Sequence, residues 1–520
     1  MDGTNEAPNR LAGLLDRPLF DDPSSRALSR VGVVDVGSNS VRLVIFDGAA
    51  RSPAYFFNEK VLCGLGRDLS ETGLLHPEGR ARALAALKRF ALLASGMDLH
   101  SLTVVATAAI RDAADGAAFQ AEVEAETGLV MHVIDGTEEA RLSGQGVLVG
   151  WPGAEGLVCD IGGSSMELAL LADGAVGPRL STPLGPFRLS RISGGKSGLR
   201  KHVEAEIARA REVIGTRPDR LYLVGGSWRA LARLDMERRN YPLTVLHEYE
   251  MTPKTIRKTI AWLQGQDLRK LRDRTGISPE RVALLPAATQ VLLPLLRAFG
   301  PRNVHISAYG IREGLLYEQM SPELRRRDPL IEACRLSEAT SARLPGMGRK
   351  LFDFVLPLYR STKASRMRLI RAACLLHDVN WRAHPDYRAE ACFDSVTRAS
   401  LGALSHRERI FLGLSLMHRY KNSVKGMRLA PMMSLLSDRE VSEAQVLGRA
   451  LRFGAMFSMT GPDGAGRLKL YPKKKILELV LQPDTGDLFG EVAAARFDGL
   501  VRALGVTGKV VTARFRPPGD

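Results

Sequence analysis

The sequence predicts an α/β protein built on a duplicated strand–loop–strand unit, followed by a helical region and a small C-terminal α/β piece. Three observations carry that reading. The stretch Val33–Phe46 is apolar strand, polar loop, apolar strand, and Leu157–Leu170 repeats the pattern about one domain later. From about 329 to 457 the chain is nearly all helical in its periodicity. From about 466 strand-like runs return, at Leu468–Tyr471 and Ile476–Leu481.

The two loops carry the first chemistry. In Asp35-Val36-Gly37-Ser38-Asn39-Ser40 a glycine and small polar residues can turn backbone N–H groups and hydroxyls toward one spot, which makes an anion cradle. Asp35, at the strand end, can hold a cation or a water. Taken alone the loop also fits a plain hairpin turn. The second copy, Asp160-Ile161-Gly162-Gly163-Ser164-Ser165, points instead to two facing phosphate loops with an acid on each, a cleft for phosphate and a metal.

Composition sets limits. A chain of 520 residues has room for three or four domains with cores of their own. The formal charge of +16 suggests a polyanionic partner. Aromatics make up 6% and are not interleaved with Arg or Lys, so nucleic acid is not expected. The five cysteines form no CxxC pair and read as reduced core residues. No apolar run of about 18 residues is apparent, so no membrane span is expected. With no signal-peptide pattern at the N-terminus, the expected location is cytoplasmic.

In chain order, residues 1–29 read as a disordered or loosely attached tail. Residues 30–136 form a first lobe, 137–320 a second, 329–457 a helical domain and 458–520 a C-terminal α/β domain. Within the first lobe a strand around Lys60–Cys63, a helix over 77–95 and a strand over 102–106 precede Arg111, which stands at a strand-to-helix junction. A helix then begins near Asp135, with Thr137 as its expected N-cap and Glu138 and Glu139 in its first turn. Those acids either stabilise the helix end or reach the cleft between the repeated loops. Gly225-Gly226-Ser227-Trp228 offers a third phosphate contact at a helix N-terminus. Lys473-Lys474-Lys475 is a basic patch.

The paired Asp-Gly loops resemble the acetate kinase, actin and sugar kinase superfamily, which implies duplicated ribonuclease-H-like (actin-like) lobes. Five motifs in order resemble the exopolyphosphatase and guanosine pentaphosphate phosphohydrolase family: the two loops, Ala106–Arg111, Glu138-Glu139-Ala140-Arg141 and Tyr309-Gly310-Ile311-Arg312-Glu313-Gly314. Two positions depart from the family pattern. Ser164 stands where a third loop glycine is usual, and Trp228 is expected to reshape the phosphate groove. The helical region resembles HD metal phosphohydrolases, but no histidine between His305 and His377 supplies a first ligand, so His377 and Asp378 are expected to be structural.

The resemblance implies an exopolyphosphatase that removes terminal phosphates processively from inorganic polyphosphate with Mg²⁺, and a monovalent cation such as K⁺ as a further candidate. Glu139 is the expected base, ionised at neutral pH, with Glu138 as its alternative and Arg111 offsetting charge. Asp160 and Glu167, with Asp35, are the expected metal ligands. Gly37, Ser38, Asn39, Ser40, Arg42, Gly162, Gly163, Ser164, Ser165, Gly226, Ser227 and Arg312 are expected to hold phosphates. Hydrolysis of guanosine pentaphosphate to the tetraphosphate is the near alternative, a non-catalytic polyanion- or nucleotide-binding regulator the distant one. A homodimer is expected from the resemblance.

Overall fold

The computed structural model describes residues 30–47 and 51–514; the tail expected over residues 1–29 lies outside the described residues. Two compact units are present, one ending at Arg326 and the other beginning at Arg327. Both lobes belong to the first unit, and the helical region and the C-terminal sheet to the second.

The first lobe begins with β1 (Arg30–Val36), β2 (Ser40–Phe46) and β3 (Tyr55–Leu62), an antiparallel meander. Then β4 (Leu99–Ala106) and β5 (Met131–Val133) add in parallel on the other side of β1, giving the order β3-β2-β1-β4-β5. Val and Ile fill β1 and β2 because both faces are covered: Val34, Val36, Leu43 and Ile45 share one core with Leu87, Phe90 and Phe119 from the crossover helices. The small polar turn at 37–40 joins the two most buried strands of this sheet.

The second lobe repeats the plan. Strands β6 (Gly156–Ile161), β7 (Met166–Ala172) and β8 (Ala175–Thr182) form the meander, and β9 (Arg220–Val224) pairs parallel to β6. Two further strands, β10 (Glu250–Met251) and β11 (Asn303–Ile306), complete the order β10-β11-β9-β6-β7-β8. Read from β8 to β11, this is the first lobe's order, with β10 added at the edge. The duplication seen in two loops extends to the whole sheet. The third meander strand, β8, has no apolar run to announce it and was not expected from the sequence.

Two helices join the lobes and hold the site. Gly136–Gly150 and Ile311–Glu318 pack at bare backbone: a Cβ on Gly146 would lie 2.2 Å from the Gly310 carbonyl oxygen, and one on Gly314 would lie 2.0 Å from that of Leu142. Any side chain at these two positions would push the helices apart. The buried Arg51 guanidinium donates to the carbonyls of Leu148 and Val149, orphan acceptors at the C-terminal end of the first of these helices.

The expectation that no stretch is long and apolar enough to span a membrane needs correction. Arg281–Phe299 passes by length and composition, with mean hydropathy 1.6. The reason is packing: Val291, Leu292, Leu295 and Phe299 are buried in the second lobe's core.

The second unit is helical from Pro329 to Ala465 and ends in the sheet β12 (Gly466–Tyr471), β13 (Ile476–Leu481) and β14 (Thr507–Thr512), with the helix Glu491–Leu504 between the last two. Asp378 accepts two bonds from Arg343, each 2.7 Å, and has Arg419 at 3.6 Å. His377 Nδ1 sits 2.7 Å from the Cys374 carbonyl oxygen. Both residues of the His-Asp pair are thus engaged by the protein itself.

Candidate active site

The two loops meet at one cleft. Gly37 N donates to Ser40 O and Gly162 N to Ser165 O, each at 3.0 Å, so the same turn closes both. From the second lobe Ser164 Oγ donates to Ser38 Oγ at 3.2 Å, a hydroxyl contact between the lobes. The departure from the usual glycine therefore adds a hydroxyl to the cleft. Asp35 and Asp160 line this one cleft, as do Gly37, Ser38, Asn39, Ser40, Arg42, Gly162, Gly163, Ser164, Ser165, Gly226, Ser227, Glu139 and Arg312. Gly225 has φ 111°, and a Cβ there would lie 2.7 Å from the Ile161 carbonyl oxygen, so the third turn needs glycine for both conformation and space.

Several expected members stand elsewhere. Trp228 is fully buried in the core of the second lobe and does not reach the groove; helix rotation turns it inward while Ser227 and Arg229 face the cleft. Glu138 points away. It accepts from Arg141 at 2.5 Å, and that arginine also pairs with Glu318, which holds the Glu138 carboxyl below its usual range. Arg111 does not line the cleft but donates to the Ile134 carbonyl at 3.0 Å; its charge still favours ionised Glu139 and Glu167. The helix cap is Asp135, not Thr137: Asp135 accepts from Glu138 N at 2.7 Å and from the Thr137 hydroxyl at 2.6 Å.

The acids of the site are buried and short of partners. Glu139 is 6% exposed, and burial, then Glu167 and Asp160, push its carboxyl well above the usual range. Removal from water disfavours the charged form, so the environment works against the ionised carboxylate expected from the sequence. Glu167 lies behind the cleft, opposite Asp160 in the β6–β7 ladder, and accepts from Ser181 Oγ at 2.8 Å; burial first, then Asp160, raise it to about 8. Asp160 is raised too, by burial, against the Ser143 hydroxyl that donates to Oδ2 at 2.5 Å. Glu139 and Glu167 each keep a buried Oε2 without a hydrogen-bond partner.

Cations crowd the same cleft. Arg312 donates to Asp35 at 2.8 Å, so these two expected binding groups hold each other. The next residue, Glu313, is fully buried and accepts from Tyr55 and from Gly310 N, each at 2.7 Å, which fixes the turn that carries Arg312. Lys60, Arg229 and Arg281 also line the cleft and were not singled out in the sequence. Desolvation, then Arg281, Arg42, Arg229 and Arg312, bring the Lys60 ammonium down to about 8. Burial and then Arg312 bring Arg229 to about 10. Like charges held this close await an anion.

Among the described residues no three His, Cys, Asp or Glu side chains form a ready chelate. Asp35, Asp160 and Glu167 are therefore not a preformed triad: Asp35 is paired with Arg312 and Glu167 does not line the cleft. The donor set nonetheless suits Mg²⁺, a hard cation that takes one or two carboxylates and completes its shell with water and substrate oxygens. The orphaned Oε2 atoms of Glu139 and Glu167 beside Asp160 are the charge such an ion would offset.

Comparisons with known proteins agree with this geometry. Residues 44–323 match the Ppx/GppA phosphatase family, and residues 342–511 match the family described as Exopolyphosphatase, C-terminal. Exopolyphosphatase 1 of Mycobacterium tuberculosis is 27% identical over 307 residues, covering 56% of this chain and 89% of that protein. Retrograde regulation protein 2 of Saccharomyces cerevisiae is 25% identical over 458 residues, covering 78% of this chain and 75% of its own. The crystal structure of an exopolyphosphatase from Cytophaga hutchinsonii superposes with TM-score 0.51 at 23% identity, over 56% of this chain and 97% of that one; this likeness concerns the fold.

Proposed function

The chain belongs to the Ppx/GppA phosphatase family and is a phosphoric anhydride hydrolase, and from that premise we propose that it removes terminal phosphates, one after another, from inorganic polyphosphate. The observation that carries the reading is the cleft itself. It sets buried, under-partnered carboxylates among five cationic side chains, Arg42, Lys60, Arg229, Arg281 and Arg312. Such a cleft suits an anion with several phosphates and a reaction that needs a base beside it.

The residues divide the work. The hydroxyls of Ser38, Ser40, Ser164, Ser165 and Ser227 and the turn amides hold the terminal phosphate. The cations hold the next phosphates and offset charge on the leaving oxygen. Glu139 takes the proton of the attacking water, held in line with that oxygen. Burial and the neighbouring acids raise the Glu139 carboxyl, and positive charge beside it favours the ionised, basic form. Asp160, with Glu167 behind it, would hold Mg²⁺, which would supply positive charge and Lewis-acid polarisation of a phosphoryl oxygen.

Two other readings have specific support. Guanosine pentaphosphate hydrolysis is the near alternative that the motif resemblance implies, and the yeast relative, which matches more of the chain, is named for regulation. Phosphate release from polyphosphate and from guanosine pentaphosphate at equal enzyme separates the three. The proposal expects faster release from polyphosphate. Faster release from the nucleotide supports the second reading, and none from either supports a binding regulator.

A further inference from the structure

Buried hydroxyls in the middle of a helix ordinarily donate to the carbonyl one turn back. Ser415 inside its helix and Thr275 and Thr397 in the last turns of theirs do so in this protein, bonding the carbonyls of Phe411, Leu271 and Phe393 at 2.8 to 2.9 Å, and Thr259 bonds the Thr255 carbonyl at 3.1 Å while also reaching Asp235. Ser143 departs from that habit. It sits inside the helix Gly136–Gly150, is 0% exposed, and turns its proton across to Asp160 Oδ2 on β6 at 2.5 Å.

Its place in the helix adds a second point. Ser143 follows Glu139 by four residues, so the two side chains rise from one face, the face turned to the acid cluster. Asp160 is hemmed in on both sides by glycine: a Cβ on Gly225 would lie 3.1 Å from Oδ1, and one on Gly310 would lie 3.7 Å from Oδ2. The glycines leave room around the carboxylate but supply no side chain to orient it. Ser143 does. Serine is also a poorer helix former than alanine, so local folding alone gives no reason for it here.

We propose that Ser143 is a positioning residue for the reaction: by engaging Oδ2 of Asp160 it keeps Oδ1 as the oxygen offered to the divalent cation, on the helix face that also carries the base. The inference rests on the reading of this cleft as the active site.

The test compares Ser143→Ala and Ser143→Thr in the full chain. The first readout is Mn²⁺ affinity without substrate, followed by electron paramagnetic resonance. The second is kcat and KM on polyphosphate. Loss of a group that orients a metal ligand typically costs about 10- to 100-fold in metal affinity or activity. Ser143→Ala is therefore expected to weaken Mn²⁺ binding about tenfold or more and to lower kcat, with KM for polyphosphate within about twofold and Tm lowered by a few degrees, as a buried carboxylate oxygen loses its donor. Ser143→Thr, which restores the hydroxyl, is expected to recover most of the Mn²⁺ affinity. Wild-type Mn²⁺ affinity in a folded Ser143→Ala protein overturns the proposal, and so does a wild-type chain that binds no Mn²⁺. If Thr does not fit the site, the Ala comparison decides alone. A wild-type chain that binds Mn²⁺ but releases no phosphate from polyphosphate refutes the substrate reading, while the Mn²⁺ comparison still decides the role of Ser143.

Discussion

The chain buries two sets of carboxylates and treats them in opposite ways. In the second unit Asp378 is nearly buried, yet Arg343 donates to both of its oxygens and Arg419 lies close by. Burial would raise its carboxyl; the Arg343 bonds, His377 and Arg419 outweigh burial and hold it below the ordinary value. Asp235, fully buried in the second lobe, likewise accepts from Tyr249, Arg238 and Thr259. In the cleft, by contrast, Glu139, Asp160 and Glu167 are all raised, and two of them keep an orphaned oxygen. A buried acid whose partners are built in is architecture. A buried acid left short of partners costs stability; Glu338 of the second unit, raised to about 7 with an orphaned Oε2, bears such a cost singly, whereas the cleft gathers several such acids beside a cationic wall where something arriving from solution can complete them.

The largest effect that would sharpen this contrast is expected at Glu139. Glu139→Gln keeps the size and removes the base, and single-turnover hydrolysis is expected to fall about 10²- to 10⁴-fold. Tm should hold or rise, since an unpaired buried acid is gone. Glu138→Gln, away from the cleft and paired with Arg141, should leave turnover near normal. A reversed pattern, with Glu138 essential, would place the base one position away.

The cationic wall should give the next effect. Replacing Lys60 or Arg281 with Ala removes one charge-assisted contact, worth about 1.5–3 kcal/mol, so KM for polyphosphate should rise roughly tenfold or more with kcat less affected. Lys60, lowered to about 8, should also regain its proton when a polyanion binds. Between pH 8 and 9 binding should therefore take up protons, measurable by calorimetry in buffers of different ionisation heat, and affinity should weaken as pH rises through that range. Binding without proton uptake in the wild type would remove Lys60 from the anion site.

A smaller effect concerns stability. Glu167 is raised to about 8 and Glu139 is raised as well, so these two acids bind more protons in the folded than in the unfolded chain above the ordinary carboxyl range, while the buried His305, His377 and His418, each lowered to about 4, act oppositely below about pH 6.5. The stability these acids contribute falls as pH rises from about 4.5 toward 8, and above about pH 6.5, where the histidines are neutral in both states, this fall dominates. In chelator, Tm should drop between pH 6 and pH 9. A flat Tm over that interval would mean these acids are already partnered.

The smallest effect on chemistry should come from the contrasting acid. Asp378→Asn leaves Arg419 buried without its charge partner and should cost about 3 kcal/mol of stability. Turnover of the folded variant should stay within about twofold. Lost turnover without lost stability would move Asp378 into the functional set.

How much of this was legible in sequence follows from locality. The Asp-Gly loops are contiguous, so residue types and order announce both the chemistry and the duplication. The cationic wall is not contiguous. Lys60 comes from the exposed edge strand β3, Arg229 from the third glycine turn and Arg281 from the start of an apolar helix. Only the fold brings them together. Choosing Glu139 over Glu138 was within reach, because one residue on a helix is a rotation of about 100°, and Glu139 shares a face with Ser143. Its raised carboxyl was not, because that depends on burial and then on Glu167, a strand residue that enters the cluster through pairing with β6. Trp228 misled for a similar reason: beside a phosphate turn in sequence, it belongs to the inward face of its helix.

The central claim, that the cleft acids are completed from solution while Asp378 is completed by the protein, is tested most directly by Mg²⁺-dependent thermal shift at pH 8. Binding at about 100 times Kd stabilises by about 2.7 kcal/mol, a shift of a few degrees for lobes of this size. The account predicts that shift in the wild type and in Asp378→Asn, and its loss in Asp160→Asn. An equal shift in Asp160→Asn, or a shift lost in Asp378→Asn but kept in Asp160→Asn, would contradict it.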